Sequence, residues 1–160
     1  ISNIQGKEAT GSMVVFIEGK PAKQFYRKFK IRYKNRGLGA RTRESQAVDS
    51  RPNDYAMMKE LLARRISHAE WGFPELMLID GGKGQLSSAL SGIRTNFEIK
   101  SLRVVALAKK HNELFQEGSK TPLLLKDMPA SLSNVLLGIR DEAHRFAITY
   151  HRKLRRMHMV

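Results

Sequence analysis

A chain of 160 residues, 41% of them hydrophobic, is long enough for one domain with a buried core, yet no apolar run approaches the ~18 residues that would span a membrane. Lys and Arg number 29 against 15 acids, a net charge of +14; solubility does not need so large an imbalance, so the expected partner is a polyanion, most simply nucleic acid, the bland alternative being a basic protein that merely meets acidic surfaces. The absence of cysteine excludes disulfides and cysteine-ligated zinc and permits a reducing, cytoplasmic location.

The N-terminus, ISNIQGKEAT, lacks the basic, apolar, small-residue order of a signal peptide. SMVVFIE (12–18) reads as a buried strand and EGKP (18–21) as a turn. KQFYRKFKIRYK (23–34) alternates, with Phe25, Phe29, Ile31 and Tyr33 on one face and Lys28, Lys30, Arg32 and Lys34 on the other. The result is a hairpin with an apolar back and a cationic front. The four cations suit a phosphate backbone, and equally an edge strand that lysines keep from pairing. Residues 35–52 are polar and basic without periodicity, which predicts a long mobile loop. A helix follows from Asn53, with Tyr55, Met58, Leu61, Leu62 and Arg65 at steps of three and four, until Pro74 ends it. ELMLID (75–80) predicts a central strand, KGQLSSALSGI (83–93) a helix, LRVVALAK (102–109) another strand, and ELF (113–115) with TPLLLK (121–126) a short pair. The last helix begins after Pro129, with a stripe of Leu132, Val135, Leu136, Ile139, Ala143, Phe146, Ala147 and Tyr150. Strands alternating with helices predict a single α/β domain with crossover connections.

Positive charge clusters in two places. Ten basic residues and no acid lie between Lys20 and Arg43, and five Lys or Arg and no acid between Arg145 and His158. The chemistry concentrates elsewhere, at LMLIDGGKGQ (76–85). A Walker loop would need Ser or Thr after Lys83, and Gly84 stands there; the spacing of a dinucleotide loop fails as well. Asp80 ends a strand, where α/β sheets open their ligand crevices, and a carboxylate there can hold Mg²⁺ or Mn²⁺ or simply cap the next helix. Asp54, opening a helix after Pro52-Asn53, reads on its own as a cap. Arg140, His144 and His151 fall near one another on the last helix, away from the main stripe; they could present themselves to a phosphate, or His144 could pair with Asp141.

The segments ISNIQG, SMVVFIEGKPAKQFYRKFKI, NDYAMM, LMLIDGGKGQL, VVALAKK and IRDEAHRFAITYHRKLR, in this order over nearly the whole chain, together resemble the C-terminal endonuclease domain of the UvrC family of bacterial nucleotide excision repair. The resemblance implies a ribonuclease-H-like fold, a mixed sheet with flanking helices. It implies a divalent-metal site, Mg²⁺ or Mn²⁺, with Asp80 as ligand and Asp54 and His144 as further catalytic residues, cutting damaged duplex DNA 5′ to a lesion. The partners it implies are DNA bound without sequence preference, UvrB, and UvrA upstream. DNA contacts are then expected from Lys28, Lys30, Arg32, Lys83, Lys109, Arg140, Arg145, His151 and Arg152. The family also carries an Asp immediately before the Ile-Ser of its first strand; that position precedes Ile1, so the body of the first strand and one metal ligand are expected outside these residues. Residues 35–52 are longer than the family's usual link. Two rival readings keep the fold plan and change the role: a catalytically inactive module that grips DNA or a partner, and a metal-dependent phosphotransferase, against which the failed nucleotide motifs count.

Overall fold

The computed structural model describes residues 2–4, 8–31, 54–94, 99 and 101–158. Arg32, Tyr33, Lys34 and the loop expected over 35–52 lie outside the described residues, as does the side chain of His151.

Strand β2 (Glu8–Met13) pairs antiparallel with β1 (Ser2–Ile4) on one side and β5 (Arg27–Lys30) on the other. A minimal hairpin, β3 (Phe16–Ile17) and β4 (Lys20–Pro21), is closed by Glu18 and Gly19, both at positive φ (52° and 76°), as the tightest two-residue turns require. After helix α1 (Asp54–Ser67) comes a parallel unit. β6 (Leu76–Asp80) crosses through α2 (Lys83–Ile93) to β7 (Arg103–Ala108), which extends antiparallel to β8 (Glu113–Gln116) and β9 (Leu123–Leu124). The long α3 (Ala130–His158) follows. A mixed sheet, β6 to β9, with antiparallel strands beside it and three helices agrees with the expected fold class.

The main core lies between α1, α2 and the sheets. Met57, Leu61, Leu62 and Ile66 of α1 meet Leu86, Ala89 and Ile93 of α2 over Ile79, Val104 and Ala106. The same cluster takes in Phe29 and Ile31, the apolar back of the predicted hairpin, while Lys28 and Lys30 are exposed. Gly11 lets β2 approach α1, because a Cβ there would collide with Leu61. A smaller cluster of Leu107, Leu114, Leu125 and Leu136 seats the start of α3. Two polar ties reinforce it: Ser133 Oγ donates to the Leu125 carbonyl (2.7 Å), and Arg140 Nη1 donates to Asn112 Oδ1 (2.8 Å).

Three local expectations need correction. Residues 12–18 are not one buried strand: β2 ends at Met13, and the Ala22 amide donates to the Val15 carbonyl (2.8 Å), turning the half-buried chain into the β3–β4 hairpin. Phe25 is not on the strand's apolar face but in a short 3₁₀ turn, Lys23–Phe25, where it is exposed. Among the described residues β6 is not central: it pairs with β7 on one edge and with no strand on the other. The two sheets therefore face each other across a gap, and α3 packs against both β2 and β6.

Candidate functional site

That gap is a cavity of about 1290 Å³. Its walls are the chain from Ser12 to Gly19, the whole of β6, the Met58–Arg65 stretch of α1 and one side of α3. Asp80, His144, Arg140 and Arg152 all line it. The last three follow from helix geometry: residues 140, 144, 148 and 152 form one i, i+4 row along α3, beside the row 135, 139, 143 and 147. The polar row thus borders the apolar stripe on the same wall rather than pointing away from it, which corrects the expectation from the helical wheel. Of that stripe only Leu136 is fully buried, while Leu132 and Val135 are exposed.

Asp80 is the last residue of β6, exposed, opposite Leu107 of β7. The Gly81 amide donates to the Leu107 carbonyl (3.2 Å), so the chain stays tied to the sheet for one residue beyond the acid. Gln85 then reaches back and accepts from the Gly82 amide (3.1 Å), which closes the first turn of α2. Asp80 makes no capping hydrogen bond, so the reading of it as a mere helix cap has no support among the described contacts. Lys83 opens α2 and Lys109 follows β7, both exposed beyond the ends of the two parallel strands where crevices of such sheets open.

Asp54 does not line the cavity; it begins α1. Its neighbour Tyr55 nevertheless links the two regions. A Cβ on Gly84 would sit 2.6 Å from the Tyr55 hydroxyl, so the absence of a side chain at Gly84 lets the start of α1 lie against the start of α2. Asp54 is thereby held near the loop that follows Asp80. No group of three or more His, Asp or Glu side chains able to hold a metal is assembled among the described residues.

The basic residues divide into engaged and unengaged. Arg145 donates twice to Glu142 (both 2.6 Å), which also accepts from Tyr26 (2.9 Å). Arg145's hydrogen bonds hold the Glu142 carboxyl down at about 2, Tyr26 helping, and burial beside that carboxylate pushes the Tyr26 phenol up to about 12. Lys28 sits over the rings of Phe146 (5.1 Å) and Tyr150 (4.5 Å), tying β5 to α3. Arg140 is spent on Asn112 and lies 3.7 Å from Asp141, the acid that sequence spacing had offered to His144. Lys83, Lys109 and Arg152 make no ion pair among the described residues. Lys30 is exposed, and its backbone carbonyl accepts from Arg64 (2.6 Å).

One residue of the site escaped the sequence reading. Arg65 sits among core positions of α1, only 4% exposed, and lines the cavity. The signal was present: an arginine continuing a three-and-four apolar spacing has to be buried or to break the pattern.

A family model described as the UvrC RNase H endonuclease domain matches residues 1–148. Relatives named UvrABC system protein C include those of Dictyoglomus thermophilum, 45% identical over 97% of this chain, and Fusobacterium nucleatum, 41% identical over all of it. A third, from Methanosphaera stadtmanae, is 42% identical over 97%. The chain spans 23–25% of these relatives' own length.

Proposed function

Because the chain belongs to the UvrC RNase H endonuclease domain family, we propose that it is the part of an excision-repair nuclease that cuts damaged DNA on the 5′ side of a lesion with Mg²⁺ or Mn²⁺. The observation that carries this reading is Asp80, a carboxylate at the end of a parallel strand, on the same cavity as His144. UvrA and UvrB are the partners this role requires, since phosphate contacts position a protein without choosing a lesion.

The donor chemistry fits an oxygen-preferring ion. Asp80 would hold it, Asp54 lies at the neighbouring helix start, and a bound ion would activate water and offset charge developing on the phosphoryl oxygens. The set is short of three grouped ligands among the described residues, and the register of β1 supports a further one from the residue before Ile1. Ser2 pairs with Thr10, Asn3 with Ala9 and Ile4 with Glu8; continued, the same register puts the residue before Ile1 opposite Ser12, on the cavity wall. His144, on the same cavity, would orient water or take its proton. Lys83 and Lys109 would hold phosphates beyond the strand ends, and Arg152 further along α3.

The incomplete ligand set also favours a second reading, a binding module without catalysis. One experiment separates the two. This chain and a version extended upstream through the first strand are incubated with Mn²⁺ and nicked or bubble DNA, and with UvrB-loaded damaged DNA. The extended version is expected to cut, and this chain to bind DNA but cut poorly. Binding without cutting by both supports the module; equal cutting by both contradicts the site described above.

A further inference from the structure

The turn between β7 and β8 is a basic finger with a fixed base. Lys109, Lys110 and His111 are exposed in it and make no ion pair among the described residues. Asn112 closes the turn at positive φ (50°), a conformation that Asn adopts more readily than most residues and Gly adopts freely. Both acceptors of Asn112 are taken, by different parts of the chain. Its carbonyl accepts from the Leu125 amide (3.2 Å), and the Leu125 carbonyl accepts from Ser133 Oγ of α3 (2.7 Å). Its side-chain Oδ1 accepts from Arg140 Nη1 (2.8 Å), two helical turns after Ser133.

Arg140 is mostly shielded, its side chain 15% exposed, and its close partner is a neutral amide; the acid Asp141 stands off at 3.7 Å. A neutral acceptor fixes the direction of a guanidinium without cancelling its charge. The helix needs such a hold here. Beyond Leu136 no residue of α3 is fully buried among the described residues, so core packing does not set how the helix sits from there on. The next ties, Glu142 with Tyr26 and Phe146 with Lys28, go to β5 and the residue before it. Among the described residues Arg140 is the last of α3 hydrogen bonded to the β6–β9 sheet or its turns. His144 stands one turn further along the same i, i+4 row, on the cavity that Asp80 lines.

We propose that Asn112 is a positioning residue for cleavage. Through Arg140 it locks the basic turn to the His144 stretch of α3, so that a phosphate gripped at the turn lies at a set distance from His144 and Asp80. Arg140 therefore acts on Asn112 and not on the DNA. The inference rests on the nuclease reading and adds to it a residue that touches neither metal nor substrate.

The test uses the longer protein, extended upstream through the first strand, with Mn²⁺ and bubble DNA. Asn112→Gly suits the left-handed backbone and removes only the side-chain acceptor, and it changes no charge. Its single-turnover rate at saturating DNA should fall by roughly tenfold or more, since a small misplacement of reacting groups is costly. Its DNA affinity and salt slope should stay as they were. Arg140→Ala should match it in rate, the double variant should be no slower than either single one, and Asn112→Asp, which keeps an acceptor for the guanidinium, should restore most of the rate. Normal cutting by Asn112→Gly, additive losses, or a salt slope lowered by about 0.9 in Arg140→Ala with Asn112→Gly unaffected would each overturn the proposal. If the unsubstituted longer protein does not cut, the nuclease reading fails by itself, and amide hydrogen exchange still decides about the lock. Faster exchange of the turn and of α3 around Arg140 in Asn112→Gly, reversed in Asn112→Asp, supports it; unchanged exchange overturns it.

Discussion

The two edges of β6 are built from the same five residues and meet opposite surroundings. Toward β7 the strand is fully paired, and Ile79, Val104, Ala106 and Leu107 are buried beneath α1, α2 and the start of α3. Toward β2 it has no strand neighbour among the described residues, and the side chains there include six of the nine large hydrophobics exposed among those residues. The contrast separates two demands on one strand. The closed edge stabilises the fold, and the open edge borders the cavity that Asp80, His144 and Arg65 line.

The largest effect should come from the chemistry. In the longer protein, Asp80→Asn keeps the shape and removes the charge, so metal-dependent cleavage should fall to background with the circular dichroism and melting curve unchanged. His144→Ala should cost roughly 10²- to 10⁴-fold, the range for a group that handles a proton. Normal cutting by Asp80→Asn would make the open edge a structural accident. The next effect lies on the closed edge. Leu107→Ala should destabilise by about 2–5 kcal/mol in urea unfolding, because a fully buried leucine leaves a void, whereas Val135→Ala on the cavity wall should cost less than about 1 kcal/mol in this chain. Equal losses would mean the cavity wall is as well packed as the core.

Smaller shifts are expected in DNA affinity. Binding to unrelated duplexes should weaken steeply with salt. Lys83→Ala and Lys109→Ala should each lower the salt slope by roughly 0.9, one phosphate's worth. Arg145→Ala, whose charge is already matched by Glu142, should lower it less. A strong preference for one sequence would break this account of phosphate holding. The smallest effect is one of pH. Glu142 is held near 2 in the folded chain, below its ordinary 4.5. Its tie to Arg145 and Tyr26 is therefore fully present above about 4.5 and lost as the pH falls toward 2. Glu142→Gln should flatten the pH dependence of the melting temperature across that window and change little at neutral pH.

Much of this was legible from local pattern. The ends of α2 follow the sequence signals from Lys83 to Ile93, because glycines before the helix and an amphipathic stripe within it are local facts. Pro129 marks the start of α3 for the same reason. The break at Val14-Val15 was not legible, since it depends on a hydrogen bond from Ala22 rather than on the apolar run itself. Nor was the position of β6 at an open edge: strand neighbours are fixed by pairing across the chain, which residue order does not record. Asp80 stood out by type and place, whereas Arg65 did not, because its significance lies in donors left unpaired once the core has formed. The expected DNA contacts divided on the same ground. Spacing cannot show that Lys28 would be taken by aromatic rings or Arg140 by Asn112.

The most direct measurement of the central claim, that the open edge of β6 is the metal-dependent cutting site, is anomalous diffraction from crystals of the longer protein soaked in Mn²⁺. The account predicts a peak at coordination distance, about 2.0–2.2 Å, from the Asp80 carboxylate inside the cavity that His144 lines, lost in Asp80→Asn. A peak held by other residues while the cavity stays without one, or a peak that survives Asp80→Asn unchanged, would contradict it.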